Sequence, residues 1–548
     1  MISLALLWHM HQPDYRRPVS GEFTEPWVLL HGIKDYTDMA AHLERHPQVR
    51  CTVNFVPVLL DQIEDYCDQF ATGQWRDPLL AIAACPDPDL LTQEQRDWMT
   101  GIGFRCHQPT MIDPFAPYRR LRDIRRHIEE FGEGAERYVS SIYYTDLAVW
   151  YLLAWTGESL RREESLIPEL MSRGGGFTLE ERQRLLAALG RALRGLIPRW
   201  RALAESGQVE LSCTPQAHPL APLLLDLASA REAWHDCRLP ATPVYPGGRS
   251  RVAAHIDAAL ASHERRFGQA PQGMWPAEGA ISTEFVELIG QRPLRWAASS
   301  ATVLYNSAGP AAEIYRPWRL DGQDLQLFFR DEQLSDLIGF EYARWHGRDA
   351  ARDFCARVER IGHDHPEGVV CVILDGENAW ETYPYNGWHF LEDLYGALGS
   401  HPTMRIVTMN DACTSQRERC ATLPKLTAGS WVYGNFSTWI GDVAKNRAWD
   451  LLCEAKLNAQ MVLDGGTLDD ASVAAIEARL TVCESSDWFW WFGDYNPAVA
   501  VSAFDRLFRE NLRDLYRLLG LPAPGALDLP VGAGHGAPEG GGTMRRAH

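Results

Sequence analysis

Val369-Val-Cys-Val-Ile-Leu-Asp375-Gly-Glu377-Asn378-Ala-Trp380 is the stretch on which the fold turns. Six apolar residues in succession suit a strand covered on both faces, as in a parallel sheet under helices. The run ends on an acid, and a carboxylate is costly to bury unless it is satisfied or put to use. A Gly-containing turn follows at once. This is how a strand delivers a side chain to the C-terminal rim of an α/β barrel, where barrel enzymes work. Gln272-Gly-Met-Trp275-Pro-Ala-Glu278-Gly-Ala repeats the arrangement around a second acid, Glu278. Two acids arriving from different strands among Trp, Tyr and His suggest sugar chemistry.

Working outward, further short runs at 2–9, 50–55, 209–213, 273–275, 295–299 and 325–329 read as strands, which with 369–374 makes seven. The run 404–408 is either an eighth or a strand outside the barrel. Amphipathic helical patterns lie between them, as at 179–206 and 251–267, and repeated β-then-α order predicts a parallel sheet with helices outside. The long gap between the second and third strands predicts a helical insertion around 60–205 in a catalytic unit spanning 1–415. Residues 416–520 read as a C-terminal helical domain contributing to the cleft. From 521 to 548 the Gly/Pro-rich composition predicts a disordered tail.

A chain of 548 residues is ample for a barrel and an accessory unit. A net charge of −19 repels phosphate backbones, so neither nucleic acid nor an anionic membrane is an expected partner. Neutral glycans, which need stacking and hydrogen bonds, remain compatible. The 20 Trp supply both core and sugar-stacking platforms. The 12 Cys are scattered without a Cys-x-x-Cys, which reads as reduced thiols and a cytoplasmic location. The first residues have too short an apolar run and no basic flank for a leader peptide, and no run is long enough to span a bilayer.

Six clusters carry the candidate chemistry. In Trp8-His9-Met-His11-Gln-Pro, a strand would point His9 and His11 to one side. Such a pair binds a metal only with a third ligand, which the sequence does not reveal; hydrogen bonding to sugar hydroxyls is the alternative. In Thr214-Pro-Gln-Ala-His218-Pro, Pro215 breaks a strand and His218 falls in the loop. Trp275 beside Glu278 could wall a sugar subsite. Asp375, Glu377, Asn378 and Trp380 together imply a polar pocket, for which Ca²⁺ or Mg²⁺ ligation is a competing use. Tyr433-Gly-Asn-Phe-Ser-Thr-Trp439-Ile-Gly-Asp442 fits a lid or groove lining, or else a plain turn with buried aromatics. In Glu484-Ser-Ser-Asp487-Trp488-Phe-Trp490-Trp491, Asp487 and Trp488 are read as facing the cleft and Trp490 and Trp491 as core.

Taken in order, these motifs resemble glycoside hydrolase family 57: His-Gln-Pro at His11, Thr-Pro-x-x-His-Pro at His218, Trp-x-x-Glu at Glu278, Leu-Asp-Gly-Glu-Asn at Asp375 and Ser-Thr-Trp-Ile-Gly at Trp439. The resemblance spans roughly residues 1–520. It implies an α/β fold, a distorted seven-stranded (β/α) barrel followed by a helical region. It also implies an enzyme acting on α-glucans such as glycogen, starch or maltodextrin, retaining, without metal or cofactor. It makes Glu278 the nucleophile and Asp375 the general acid/base. His9, His11, His218, Trp275, Glu377, Trp380, Trp439, Asp442, Asp487 and Trp488 are read as substrate-binding residues, with His11 and His218 bonding sugar hydroxyls or Glu278 and Trp275 and Trp439 stacked on sugar rings. The motif wording leans toward amylopullulanase and α-amylase. Branching enzymes tend to carry Cys directly after this Glu, where this chain has Gly279. The alternatives are a 4-α-glucanotransferase, a metal-dependent deacetylase or α-mannosidase using His9, His11 and an acid, and a non-catalytic glycan-binding protein. Oligomeric state is left open.

Overall fold

The computed structural model describes residues 1–132 and 134–536. Its strands are β1 (Ile2–Met10), β2 (Cys51–Phe55), β3 (Val209–Cys213), β4 (Gly273–Met274), β5 (Trp296–Ser300), β6 (Trp318–Leu320), β7 (Gln326–Arg330), β8 (Val369–Asp375), β9 (Met404–Val407) and β10 (Ala421–Leu423). Seven of them, β1, β2, β3, β4, β5, β7 and β8, pair in that order and in parallel to close a barrel. The seam between β7 and β8 is closed by the single pair Arg330↔Cys371, and β4 has only two residues, so the barrel is distorted. β9 pairs in parallel with the first residues of β1, outside the ring, while β6 and β10 extend from β7.

Side-chain alternation along a strand explains where the acids point. In β8, Val370, Val372 and Leu374 pack outward on the helices, whereas Val369, Cys371 and Ile373 fill the barrel with Ala5, Leu7, Trp296 and Phe328. Asp375 continues the inward series at the C-terminal end. Its register partner on β1 is His9, which continues the inward series Ala5, Leu7. The two residues therefore meet at the barrel mouth.

Helices fill the chain between β2 and β3, the longest being Leu179–Glu205. After β10 come the helices Val443–Asp464, Asp470–Cys483, Ser486–Trp491 and Ala498–Leu518. Fully buried Glu484 fastens this region to the barrel helix Gly248–Phe267: it accepts from Arg251 (Nε to Oε1 2.8 Å, Nη2 to Oε2 2.8 Å), meets His255 Nε2 at 2.7 Å, and takes the Tyr245 hydroxyl at 2.5 Å. Burial opposes its charge, yet Arg251 and then His255 outweigh burial and hold its carboxyl at about 2. The anchored turn that follows carries Ser486 and Asp487 to the cleft.

Disorder from residue 521 is not what the described part of the tail shows. Leu527 and Val531 are buried, Arg509 and Arg513 donate to the Leu527 carbonyl, and the Val531 N–H donates to Asp505 at 2.6 Å. Gly and Pro composition is silent about two apolar residues spaced to reach a groove. Residues 537–548 lie outside the described residues. Among the described residues no helix is long and apolar enough to cross a membrane.

Candidate active site

An open cleft lies at the barrel mouth. Glu278 and Asp375 both line it, with His9, His11, His218, Glu377 and Asp487. Glu278 follows β4 in a left-handed conformation, φ +58°, and Gly279 repeats that conformation. A Cβ on Gly279 would come within 2.9 Å of the Trp275 ring and 3.3 Å of the Trp431 Cβ, so glycine is required there. His218 (φ +57°) and Tyr433 (φ +58°) are left-handed too, and His218 also lines the cleft. Non-glycine residues adopt this region at a cost, and such strain gathers at functional sites.

Trp431 donates its indole N–H to Glu278 Oε2 at 2.9 Å and its backbone N–H to the Glu278 carbonyl at 3.0 Å. His218 Nδ1 is 3.9 Å from Oε1, beyond hydrogen-bond range. Asp375 is held differently. Its Oδ2 accepts from Asn378 at 2.9 Å, and the Gly376 N–H donates to the His9 carbonyl at 2.8 Å. Burial pushes the Asp375 carboxyl above the usual range, against the smaller pull of Asn378, His11 and Arg330. Beneath it, buried Glu377 accepts the His11 backbone N–H at 3.3 Å; burial first, then Asp375, raises its carboxyl well above normal.

The three histidines form one cluster. His9 and His218 meet Nε2 to Nε2 at 3.3 Å, and the His11 and His218 rings stack with centroids 3.8 Å apart. The cluster is tied to its surroundings at both ends: His9 Nδ1 meets the Asn54 amide at 2.7 Å, and His218 Nδ1 meets the Ser486 hydroxyl at 2.9 Å. Both rings are neutral in this chain: burial and then His11 push His9 down to about 3, and burial pushes His218 well below normal. His11 Nε2 contacts both Asp487 oxygens, at 3.0 and 3.1 Å.

His11, His218 and Asp487 bring ligand atoms within 4.8 Å of one another, supplying the acid that a metal reading lacked in sequence. The geometry does not suit an ion. A metal sits in the plane of each imidazole about 2.0–2.1 Å from the nitrogen. Rings stacked 3.8 Å apart at 18° send their lone pairs side by side rather than to one point.

Five residues expected at the cleft are elsewhere. Trp275 has no exposed surface and packs inside the barrel against Trp431 and His9, so it stacks on no sugar. Trp380 is core: it packs on Trp8 and donates to the Gly376 carbonyl at 2.8 Å, bracing the Asp375 turn. Trp439 is fully buried against Trp490. Asp442 caps the helix Val443–Asp464 through the Ala444 N–H at 2.8 Å. Trp488 is buried against Phe504 and Phe508. Conversely Trp490 and Trp491, expected in the core, line the cleft with Asp487. These three are i, i+3 and i+4 on the helix Ser486–Trp491, one face by period alone, and Trp488 falls on the other. Trp431 and Arg330 also line the cleft and were not singled out. The Gly-Ser-Trp-Val-Tyr-Gly setting of Trp431 was its available signal.

With the barrel, the paired acids and the histidine cluster in place, comparison with known proteins is decisive at family level. The model of glycosyl hydrolase family 57 matches residues 5–424. The chain belongs to that family. It is therefore a glycoside hydrolase-type enzyme. Its fold is similar to a family 57 branching enzyme from Pyrococcus horikoshii (TM-score 0.56, 14% identity, covering 98% of each chain). It is also similar to an α-amylase from Thermotoga maritima (TM-score 0.55, 14% identity, 94% of this chain and 96% of that one). A 4-α-glucanotransferase from Thermococcus litoralis matches as well (TM-score 0.52, 14% identity, 94% of this chain and 60% of that one). At these identities the likeness concerns the fold.

Proposed function

We propose that this enzyme cleaves α-glucosidic bonds in α-glucans by double displacement with retention, Glu278 acting as nucleophile and Asp375 as general acid/base. The observation that carries the reading is that two acids from different strands, Glu278 after β4 and Asp375 at the end of β8, line one cleft. Glu278 receives an N–H on its carboxylate, which favours the charged form a nucleophile needs. Asp375 is desolvated, which favours the protonated form an acid needs.

In the first step Glu278 bonds to the anomeric carbon while Asp375 gives its proton to the departing oxygen. In the second, Asp375 takes a proton from water as the oxygen attacks the same carbon and the Glu278 ester breaks. Retention requires carboxyl groups roughly 5–5.5 Å apart. His11, with Asp487 behind it, would bond sugar hydroxyls, and Trp490 and Trp491 would face the rings. The Gly that follows Glu278, where branching enzymes tend to carry Cys, favours the amylase-like reading.

Product analysis on glycogen, pullulan and maltoheptaose, with wild type and Glu278→Ala, tests the proposal. New reducing ends made by the wild type alone support hydrolysis, and the substrate ranking gives the linkage. Redistribution of maltoheptaose lengths without new reducing ends would assign glucanotransfer instead. No change on any glucan would refute the reading.

A further inference from the structure

We infer that Trp431 is the positioning residue that sets both the backbone and the carboxylate of Glu278, with Arg330 holding Trp431 in place. The inference rests on the role proposed for Glu278. One residue makes two bonds to one other: the Trp431 backbone N–H to the Glu278 carbonyl and its indole N–H to Oε2. The first secures a left-handed backbone that Glu would otherwise leave, and the second fixes the side chain. The carboxylate is thereby aimed without relying on its own rotamer preference.

The indole is itself locked. Trp275 packs edge-on at 5.2 Å, and the Arg330 guanidinium lies over the ring at 5.5 Å. Arg330 is buried at the end of β7, donates Nε to the Ile373 carbonyl at 2.7 Å, and reaches Asp336 with Nη2 at 2.8 Å. Ile373 is two residues before Asp375 on the same strand. Arg330 thus ties the strand that delivers the acid to the ring that holds the nucleophile, so the spacing of the two carboxyl groups is set through it. The turn bearing Trp431 is held as well: the Ser300 hydroxyl donates to the Ser430 carbonyl at 3.2 Å, and the backbones at Ile281 and Gly429 bond to each other.

An N–H on a carboxylate stabilises its charged form. Trp431→Phe keeps the ring and removes that donor. The expected result is a 10- to 100-fold fall in kcat on maltoheptaose with KM within about threefold, and an acidic limb of the pH profile moved upward by about half a unit or more. Arg330→Gln should move the same limb in the same direction by less. A variant damaged only in folding would lower the active fraction and leave the limb where it was. An unmoved limb in both variants, with wild-type turnover per folded molecule, overturns the inference.

A cycle of thermal midpoints for Trp431→Phe, Glu278→Ala and the double variant needs no turnover. Non-additive shifts support the clamp and additive shifts overturn it. Loss of activity in wild-type protein would count against the glucan reading and leave this cycle to decide the clamp.

Discussion

The two walls of the cleft hold an identical functional group on different backbones. The β4 wall twists Glu278 into a left-handed conformation and gives its carboxylate a donor from Trp431. The β8 wall brings Asp375 in on a regular strand, adds one amide from Asn378, and surrounds it with apolar barrel and a second acid, Glu377. On the proposed roles, nucleophile and proton donor differ in their surroundings rather than in residue type. The left-handed turn falls on the proposed nucleophile, and a regular strand end carries the proposed acid.

The largest effect expected is from Glu278→Ala, a fall in kcat of about 10⁴-fold or more on any α-glucan, since no covalent intermediate can form. Equal turnover by this variant in single-turnover assays would break the contrast outright. Asp375→Asn should cost about 10²–10⁴-fold on a natural glucan. The loss should be far smaller on an α-glucosyl fluoride, whose leaving group needs no proton. The same substrate sharpens the pH argument. Asp375 has a raised pKa and must be protonated for the first step, so kcat/KM on maltoheptaose should fall as pH rises through that value. With the fluoride that alkaline limb should disappear.

Smaller effects separate the cleft face of the helix Ser486–Trp491 from its core face. Asp487→Asn should weaken glucan binding about tenfold by loosening His11. Trp490→Ala should raise KM, while Trp488→Phe should lower the melting midpoint and leave KM near wild type. The mildest test concerns the anchor beneath both. Glu484 lies at about 2 in the folded protein against an ordinary 4.5, so its contribution is complete above about pH 4.5 and is lost as pH falls toward 2. Two and a half units correspond to about 3 kcal/mol. The gap in midpoint between wild type and Glu484→Gln should therefore narrow between pH 6 and pH 3, and a constant gap would contradict the pairing.

The barrel was legible because buried parallel strands leave unbroken apolar runs, and even two-residue β4 was marked by the Trp-Pro that follows it. Asp375 stood out as an acid ending an apolar run just before a Gly turn, and the structure puts it at the inward end of that strand. The tryptophans were not. Whether Trp275, Trp380, Trp439 or Trp488 meets a sugar or a neighbour depends on contacts far along the chain, and hydrophobicity is the same in both settings. Asp442 was more tractable, since an Asp immediately before a helical pattern is a capping signal. Trp431 lies 153 residues from its partner, a separation that no local pattern records.

The most direct test of the double-displacement assignment is to trap the intermediate. The Asp375→Asn variant would be incubated with a slow 5-fluoro-α-glucosyl fluoride, then examined by intact-protein and peptide mass spectrometry. The account predicts one added glucosyl group on the peptide containing Glu278. A sugar on any other residue, or turnover of the fluoride with inversion at the anomeric carbon, would contradict it.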